Sequence, residues 1–218
     1  MGLLIDLIVK ALSPVLPEKA AAAHYGDSNV ILFSGFDNSR QSQFGICEAT
    51  AGGWGAFAGG DGQNGLINVV NGDLKNWGIE FIESKYPLRI LSYQIRPDSE
   101  GAGKYRGGMG LERTYMVENE DGCNLMLWVE RSKTTAWGLF GGQAGLGPDV
   151  VINPGSEKEK HYLKTNMLPL KKGDIVKIRT GGGGGYGLPT ERDRKDLETD
   201  IENGYISKKR AQEIYKYV

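Results

Sequence analysis

Histidine is almost missing from this chain: of 218 residues, only His24 and His161 carry an imidazole. Zinc and manganese sites ordinarily gather two or three His, Cys or carboxylate ligands, so a metal site built by this chain alone is not expected. Cysteine is as scarce. Cys47 and Cys123 are the whole supply, and two distant thiols read as buried, reduced residues of a cytosolic protein. Neither sign of charge is in excess, with 26 Lys and Arg against 27 Asp and Glu. That balance gives nucleic acid or an anionic membrane surface no electrostatic handle. No run approaches the ~20 apolar residues that span a bilayer. Residues 1–10 are apolar but broken by Asp6 and Lys10. Without a basic leader or a small-residue cleavage site they make a poor signal peptide, and Asp6 where a Ser or Thr is needed makes Gly2 a poor myristoylation site. The Gly-x-Ser-x-Gly elbow of serine hydrolases is absent too. A cytoplasmic location is the expectation.

What the chain has in excess is glycine, 33 residues, roughly twice the usual share of about 7%. There is no Gly-X-Y period, and the aromatic and β-branched residues between the clusters argue against disorder. The most informative run is Thr180-Gly181-Gly182-Gly183-Gly184-Gly185-Tyr186-Gly187. Each glycine in an ordered element costs roughly 0.5–1 kcal/mol relative to alanine. Such a run persists where no side chain fits, through tight packing, positive φ, or backbone N–H groups presented to a ligand. The Lys-Ser/Thr that completes a phosphate-gripping P-loop is missing. Something, protein or ligand, presses on bare backbone here.

Local patterns predict an α+β protein: a mostly β domain with glycine-rich loops, a short N-terminal helix and a C-terminal helical hairpin. Leu4, Ile8, Ala11 and Leu12 recur at helical spacing within residues 3–12, and Pro14 and Pro17 end that helix. Strands are expected at 30–33 and 44–49, joined by the turn Asp37-Asn38-Ser39-Arg40, and at 88–96, 111–117, 125–130, 150–152, 162–164 and 175–178. Residues 79–83 suit a helical turn, and Lys172-Gly173-Asp174 a tight one. Residues 189–203 read as a helix closed by Gly204. Ser207 reads as the N-cap of a second helix with Ala211, Ile214 and Tyr215 facing inward. The expected divisions are 1–19, a helix and linker; 20–188, the β-rich domain; and 189–218, the hairpin.

Candidate chemistry is thin, and each candidate has an ordinary reading. Glu48 ends a strand and opens the loop Gly52-Gly53-Trp54-Gly55, where a carboxylate serves as base or ligand anchor or simply holds the loop by its N–H groups. Arg96, Asp98, Lys104 and Arg106 crowd a bend whose arginines suit a substrate carboxylate or phosphate, or an Arg–Asp pair that locks the bend. Trp137 and Phe140 flank bare backbone and suit a pocket wall, a subunit contact or plain core. Glu130-Arg131 reads as a surface pair. His24, after an alanine run, is expected to be exposed.

Taken in order, these motifs resemble the C-terminal part of hydantoinase B proteins, the family that includes the matching half of 5-oxoprolinase and subunits of acetone and acetophenone carboxylases. The resemblance rests on Glu48-Ala49-Thr50-Ala51-Gly52-Gly53-Trp54-Gly55-Ala56 with Gly60-Asp61-Gly62, then Tyr86-Pro87-Leu88-Arg89. It continues through Arg96-Pro97-Asp98-Ser99, Arg106-Gly107-Gly108-Met109-Gly110, Trp137-Gly138-Leu139-Phe140-Gly141-Gly142, residues 170–174 and the glycine run. It closes with Pro189-Thr190-Glu191-Arg192-Asp193 and Asn203-Gly204-Tyr205-Ile206-Ser207. The resemblance implies a multisubunit, ATP-dependent cyclic-amide hydrolase or carboxylase. A hydantoinase A-like subunit would bind ATP with Mg, and an N-terminal hydantoinase B-like portion would carry the divalent metal (Zn or Mn); neither cofactor is expected on this chain alone. Glu48, Arg96 and Arg106 would help complete catalysis, and Gly52, Gly53, Asn76, Glu80, Gly183 and Gly184 would line a small-molecule substrate site. A purely structural subunit is the alternative. Residues 71–80 depart from the Thr/Asn-rich segment and Pro-x-Glu of relatives, matching only at Asn76 and Glu80. The apolar helix at 3–12 suits either a join to a metal-bearing portion or docking on its own sheet.

Overall fold

The computed structural model describes residues 2–72 and 74–217; Asp73, inside the divergent segment 71–80, lies outside the described residues. The alternating runs form two antiparallel sheets. One has the order β2 (Ser42–Glu48), β1 (Val30–Asp37), β5 (Cys123–Trp128), β8 (Lys164–Leu170). The other has the order β3 (Leu88–Ile95), β4 (Leu111–Val117), β9 (Ile175–Arg179), β6 (Asp149–Ile152), β7 (Lys160–Tyr162). The inward residues of both build one apolar core, with Ile31, Phe33, Leu125 and Leu127 from the first sheet and Leu88, Tyr115, Val117 and Ile178 from the second. Helix α2 (Ile79–Lys85) adds Ile82. The β1–β2 turn is set by Asp37, whose Oδ1 accepts from the Ser39 and Arg40 amides.

The strand expected at 162–164 is instead a corner. Tyr162 pairs with Val150 in one sheet, whereas Lys164 pairs with Trp128 in the other. The chain changes sheets at Leu163, so a short apolar run that reads as one strand supplies the ends of two.

The helices follow their signals. Helix α1 spans Gly2–Leu12. Residues 189–203 divide: Pro189–Glu191 makes a 3₁₀ turn, Arg192 is extended, and α3 runs Arg194–Glu202. Its N-cap is Asp193, which accepts from the Lys195 and Asp196 amides. Gly204, at φ +71°, ends it. Ser207 caps α4 (Lys208–Ile214) by accepting from the Arg210 amide. Leu197, Ile206, Ala211 and Tyr215 then close a second core over Ala102 and Met109.

Between sandwich and hairpin lies a body of backbone with no regular sheet. Gly182 and Gly185 donate to Leu146 O and Gln143 O at 3.1 and 2.9 Å. Gly183 and Tyr186 donate to Gly108 O and Tyr105 O, both at 2.9 Å, and Gly184 donates to Ala23 O at 2.7 Å. Residues three apart therefore address the same neighbour, and the partner's number falls by three as the run's rises. That is an extended helix of three residues per turn, polyproline II in kind, packed antiparallel to neighbours drawn from 99–110 and 136–146. A third side is filled by 20–25. With every side occupied, a Cβ on any of Gly182–Gly185 would lie within 3.0 Å of another segment's backbone, closer than real Cβ atoms come. Collagen crowds one residue in three against its axis; here Gly182–Gly185 are crowded at every residue, which is why glycine is continuous there rather than periodic. What presses on the bare backbone is the protein itself.

Candidate functional site

Among the described residues, three buried clusters of charge hold residues that the sequence singled out. The first sits at one end of the sandwich. Glu48 is the last residue of β2 and faces inward beside Ile31. Its Oε2 accepts from the Tyr115 hydroxyl at 2.9 Å and lies 3.0 Å from Arg113 Nη1. Arg113 is fully buried, with its guanidinium carbon 4.8 and 5.0 Å from the Tyr93 and Tyr115 ring centres. Burial raises the Tyr115 hydroxyl well above its ordinary pKa, so it stays a donor to the carboxylate. Asn76 roofs this end: its amide donates to Ala49 O at 2.7 Å, and its Oδ1 accepts from the Tyr93 hydroxyl at 2.9 Å. Glu80 is exposed on the first turn of α2. Glu48 Oε1, Thr50 Oγ1 and both side-chain polar atoms of Asn29 are buried without a hydrogen-bond partner.

The second cluster joins the glycine body to the hairpin. Arg192 forks onto both oxygens of Asp61 at 2.9 and 2.8 Å and also reaches Asp200 Oδ2 at 2.6 Å. Arg106 Nε donates to Asp200 Oδ1 at 2.8 Å. Burial pushes the Asp61 carboxyl up, but Arg192 and Arg106 outweigh it and hold the group below the usual carboxylate range. A cleft of about 330 Å³ opens beside the network, lined by Asp61, Arg106, Arg192, Asp196, Asp200 and Tyr205. Arg96 stands apart. Its Nη1 donates to Gly147 O and Thr180 O at 2.8 and 2.9 Å. Asp98 accepts from the Ser207 amide at 2.7 Å and ties the bend to the hairpin.

The third cluster lies under α1. His24, expected outside, is 6% exposed; its Nδ1 is 2.5 Å from Asp6 Oδ1, and Asp6 is itself buried. Arg131 pairs with Asp6 and donates to His24 O at 2.9 Å. Arg131 is thus no surface residue: it is buried at φ +57°, with its guanidinium over the Trp137 ring. Its neighbour Glu130 is exposed and pairs with Lys164. The alanine run misled because Ala20, Ala22 and Ala23 are small enough to pack into the glycine body, which carries His24 inward. Cys47 corrects in the other direction. It faces outward from β2 and is exposed, while burial pushes the Cys123 thiol up to about 12.

The structure therefore disperses the sequence candidates. Glu48 and Asn76 share one end, Arg106 lies in the hairpin network, and Arg96 fastens the bend. The amides of Gly52, Gly53, Gly183 and Gly184 donate to Leu66, Gly181, Gly108 and Ala23 carbonyls. Phe140 is 46% exposed and rests on Tyr186, with ring centres 5.0 Å apart. Sequence reasoning missed Arg113, Arg192 and Asp200. Arg113 had a signal, since it occupies an inward position of the alternating run Leu111, Arg113, Tyr115, Val117, where a charge needs a partner.

The hydantoinase B/oxoprolinase family model matches residues 1–189. The chain belongs to the hydantoinase B/oxoprolinase family. An uncharacterized protein of Methanocaldococcus jannaschii is 38% identical over 98% of this chain and 36% of its own length. The ATP-dependent caprolactamase of Pseudomonas jessenii superposes with a TM-score of 0.82 at 25% identity, over 96% of this chain and 37% of that one. A nucleotide-free acetone carboxylase does so with a TM-score of 0.74, also at 25% identity, over 92% and 31%. This member of the hydantoinase B/oxoprolinase family thus spans about a third of the length of such relatives. Among its relatives are a caprolactamase subunit beta and an acetone carboxylase alpha subunit.

Proposed function

We propose that this chain is the carboxyl-terminal module of a hydantoinase B-like component in an ATP-dependent cyclic-amide hydrolase or ketone carboxylase, acting in the cytoplasm. Within it, the module serves as the rigid scaffold against which the site is assembled. The observation that carries this reading is that Glu48, Arg96 and Arg106 already spend their charge on internal partners: Arg113 and Tyr115, two carbonyls, and Asp200. ATP with Mg²⁺ belongs in this reading to a hydantoinase A-like subunit. A divalent Zn²⁺ or Mn²⁺ belongs to the remaining, N-terminal portion of the B-like component. The donors here do not fit such an ion: His24 is closed onto Asp6, the His161 ring lies at the surface between Asp149 and Glu159, and the described residues hold no cluster of three potential ligands.

A second reading, that the module helps complete the substrate site, is favoured by the spare hydrogen-bonding capacity of Glu48, Thr50 and Asn29 beneath Asn76. ATP-dependent turnover of the reconstituted complex separates the two. The scaffold reading expects Asn76→Ala and Glu80→Gln to leave assembly and turnover intact. Turnover abolished in an intact assembly would favour the second reading. The chain alone is expected to be inactive, and partner-free hydrolysis of a cyclic amide would overturn both.

A further inference from the structure

Helix α1 is inside out. Its buried residues are Gly2 and Asp6, while Leu4, Ile8 and Leu12 are 56, 52 and 51% exposed and Val15 beyond them is 76% exposed. The spacing i, i+4, i+8 places Leu4, Ile8 and Leu12 on one stripe, and Val15 follows in the turn beyond the helix end. This orientation is fastened. Asp6 reaches beneath the helix to His24 and Arg131. Arg131 is in turn held by the carbonyls of His24, Thr134 and Thr135. Burying ions costs desolvation that an inward leucine would not incur. A helix made only to cover its own domain would bury the leucines and expose the aspartate. The apolar surface continues sideways, where Ile5 and Val9 share a slot with Val69, itself 42% exposed.

We propose that this face docks the two thirds of a hydantoinase B subunit that the chain does not span, with α1 laid into an apolar groove of that portion. The proposal rests on the function given above. Helix α1 falls inside the family match at residues 1–189, so it belongs to the shared fold. Relatives matching 92–98% of this chain carry about twice as much polypeptide again, since the match takes up only 31–37% of their length. That polypeptide is the occupant the relatives offer for this face, and contiguous exposed apolar surface marks where proteins pack. The stripe offers no charge, which fits a helix-in-groove contact rather than an ionic one.

The test is light scattering and calorimetric titration of the chain against that complementary two thirds, produced as a separate polypeptide from the same genome. A one-to-one complex is expected. Leu4→Asp with Ile8→Asp, both on the exposed stripe, should leave the circular dichroism and melting point of the chain unchanged. The pair should weaken binding roughly thirtyfold or more, as losing a central anchor does. Unchanged binding by the double variant overturns the proposal. So does a homodimer that the double variant dissolves, or binding of the wild type to anionic vesicles in preference to the polypeptide. If the complementary polypeptide does not bind but a hydantoinase A-like subunit does, the docking assignment falls while the proposed function stands. If neither binds, both fall.

Discussion

Gly183 and Gly45 are the same residue under opposite constraints. A Cβ on Gly183 would collide with the backbone of Trp54, whose amide donates to Gln63 O and whose carbonyl accepts from Gly108, whereas a Cβ on Gly45 meets nothing within 4 Å. Overpacking a core ordinarily costs about 1–3 kcal/mol because side chains give way. Backbone hydrogen-bonded on several sides cannot, so Gly183→Ala is expected to lose more than roughly 3 kcal/mol, the top of that range. Gly45→Ala, in an exposed stretch of β2 without positive φ, is expected to be neutral or to gain up to roughly 1 kcal/mol by restricting the unfolded chain. Urea unfolding midpoints of the two variants decide this. A tolerated Gly183→Ala would mean that the glycine body is far more compliant than its hydrogen bonds imply.

At the scale of elements, ends are governed by single side chains. Ser207 accepts from the Arg210 amide and starts α4, whose Ala211 and Tyr215 seal the second core. Removing such a cap costs about 1 kcal/mol, so Ser207→Ala should lower the stability of the chain by that amount in thermal unfolding, with Ser207→Asp recovering most of it. This end was legible in the sequence, as were α1, the β1–β2 turn and most strands, because caps, glycine stops and two-residue alternation are local signals. The corner at Leu163 was not, because local pattern is silent about which sheet a strand joins. The glycine run was half legible. Its content demanded close approach, but the identity of the neighbours depends on 20–25, 99–110 and 136–146 arriving from far away. The site was least legible of all: Glu48 and Arg106 stood out by position, and Arg113 by its inward place in an alternating strand, yet that Arg113 pairs with Glu48 and Asp200 with Arg106 is visible only in three dimensions.

For the whole molecule, the charged network makes stability depend on pH in a direction that can be worked out. Asp61 is held below the ordinary carboxylate value of about 3.9 by the Arg192 fork and Arg106, against the upward push of burial. The folded state therefore binds fewer protons than the unfolded one. The contribution is fully present above pH ~4 and is lost as pH falls through the lower folded value. Glu100 works the other way. Burial outweighs the pull of Arg210 and raises its carboxyl, so its contribution is present below pH ~4.3 and fades as pH rises through the folded value. Denaturation midpoints taken from pH 3 to 7 should show a shallower acid decline in Asp61→Asn than in the wild type. An unchanged decline would mean that the fork does not survive in solution.

The glycine body draws its segments from most of the chain, so no part of it can open without the rest. Gly182 to Gly185 donate to four carbonyls at 99–110, 136–146 and 20–25, and those segments are themselves fixed by the sandwich on one side and by the Asp61–Arg192–Asp200 network on the other. Extended glycine outside a sheet ordinarily exchanges its amide hydrogens quickly, because such segments open locally at little cost. Here local opening would strand buried carbonyls in three directions at once, each costing roughly 1–3 kcal/mol, which leaves global unfolding as the cheaper route. Native-state hydrogen exchange should accordingly give Gly182–Gly185 the same opening free energy as the core strands β4 and β5, with the same denaturant dependence. Exchange through a sub-global opening well below the unfolding free energy would show that the glycine body is a separable unit and that the sandwich alone sets the stability of the molecule.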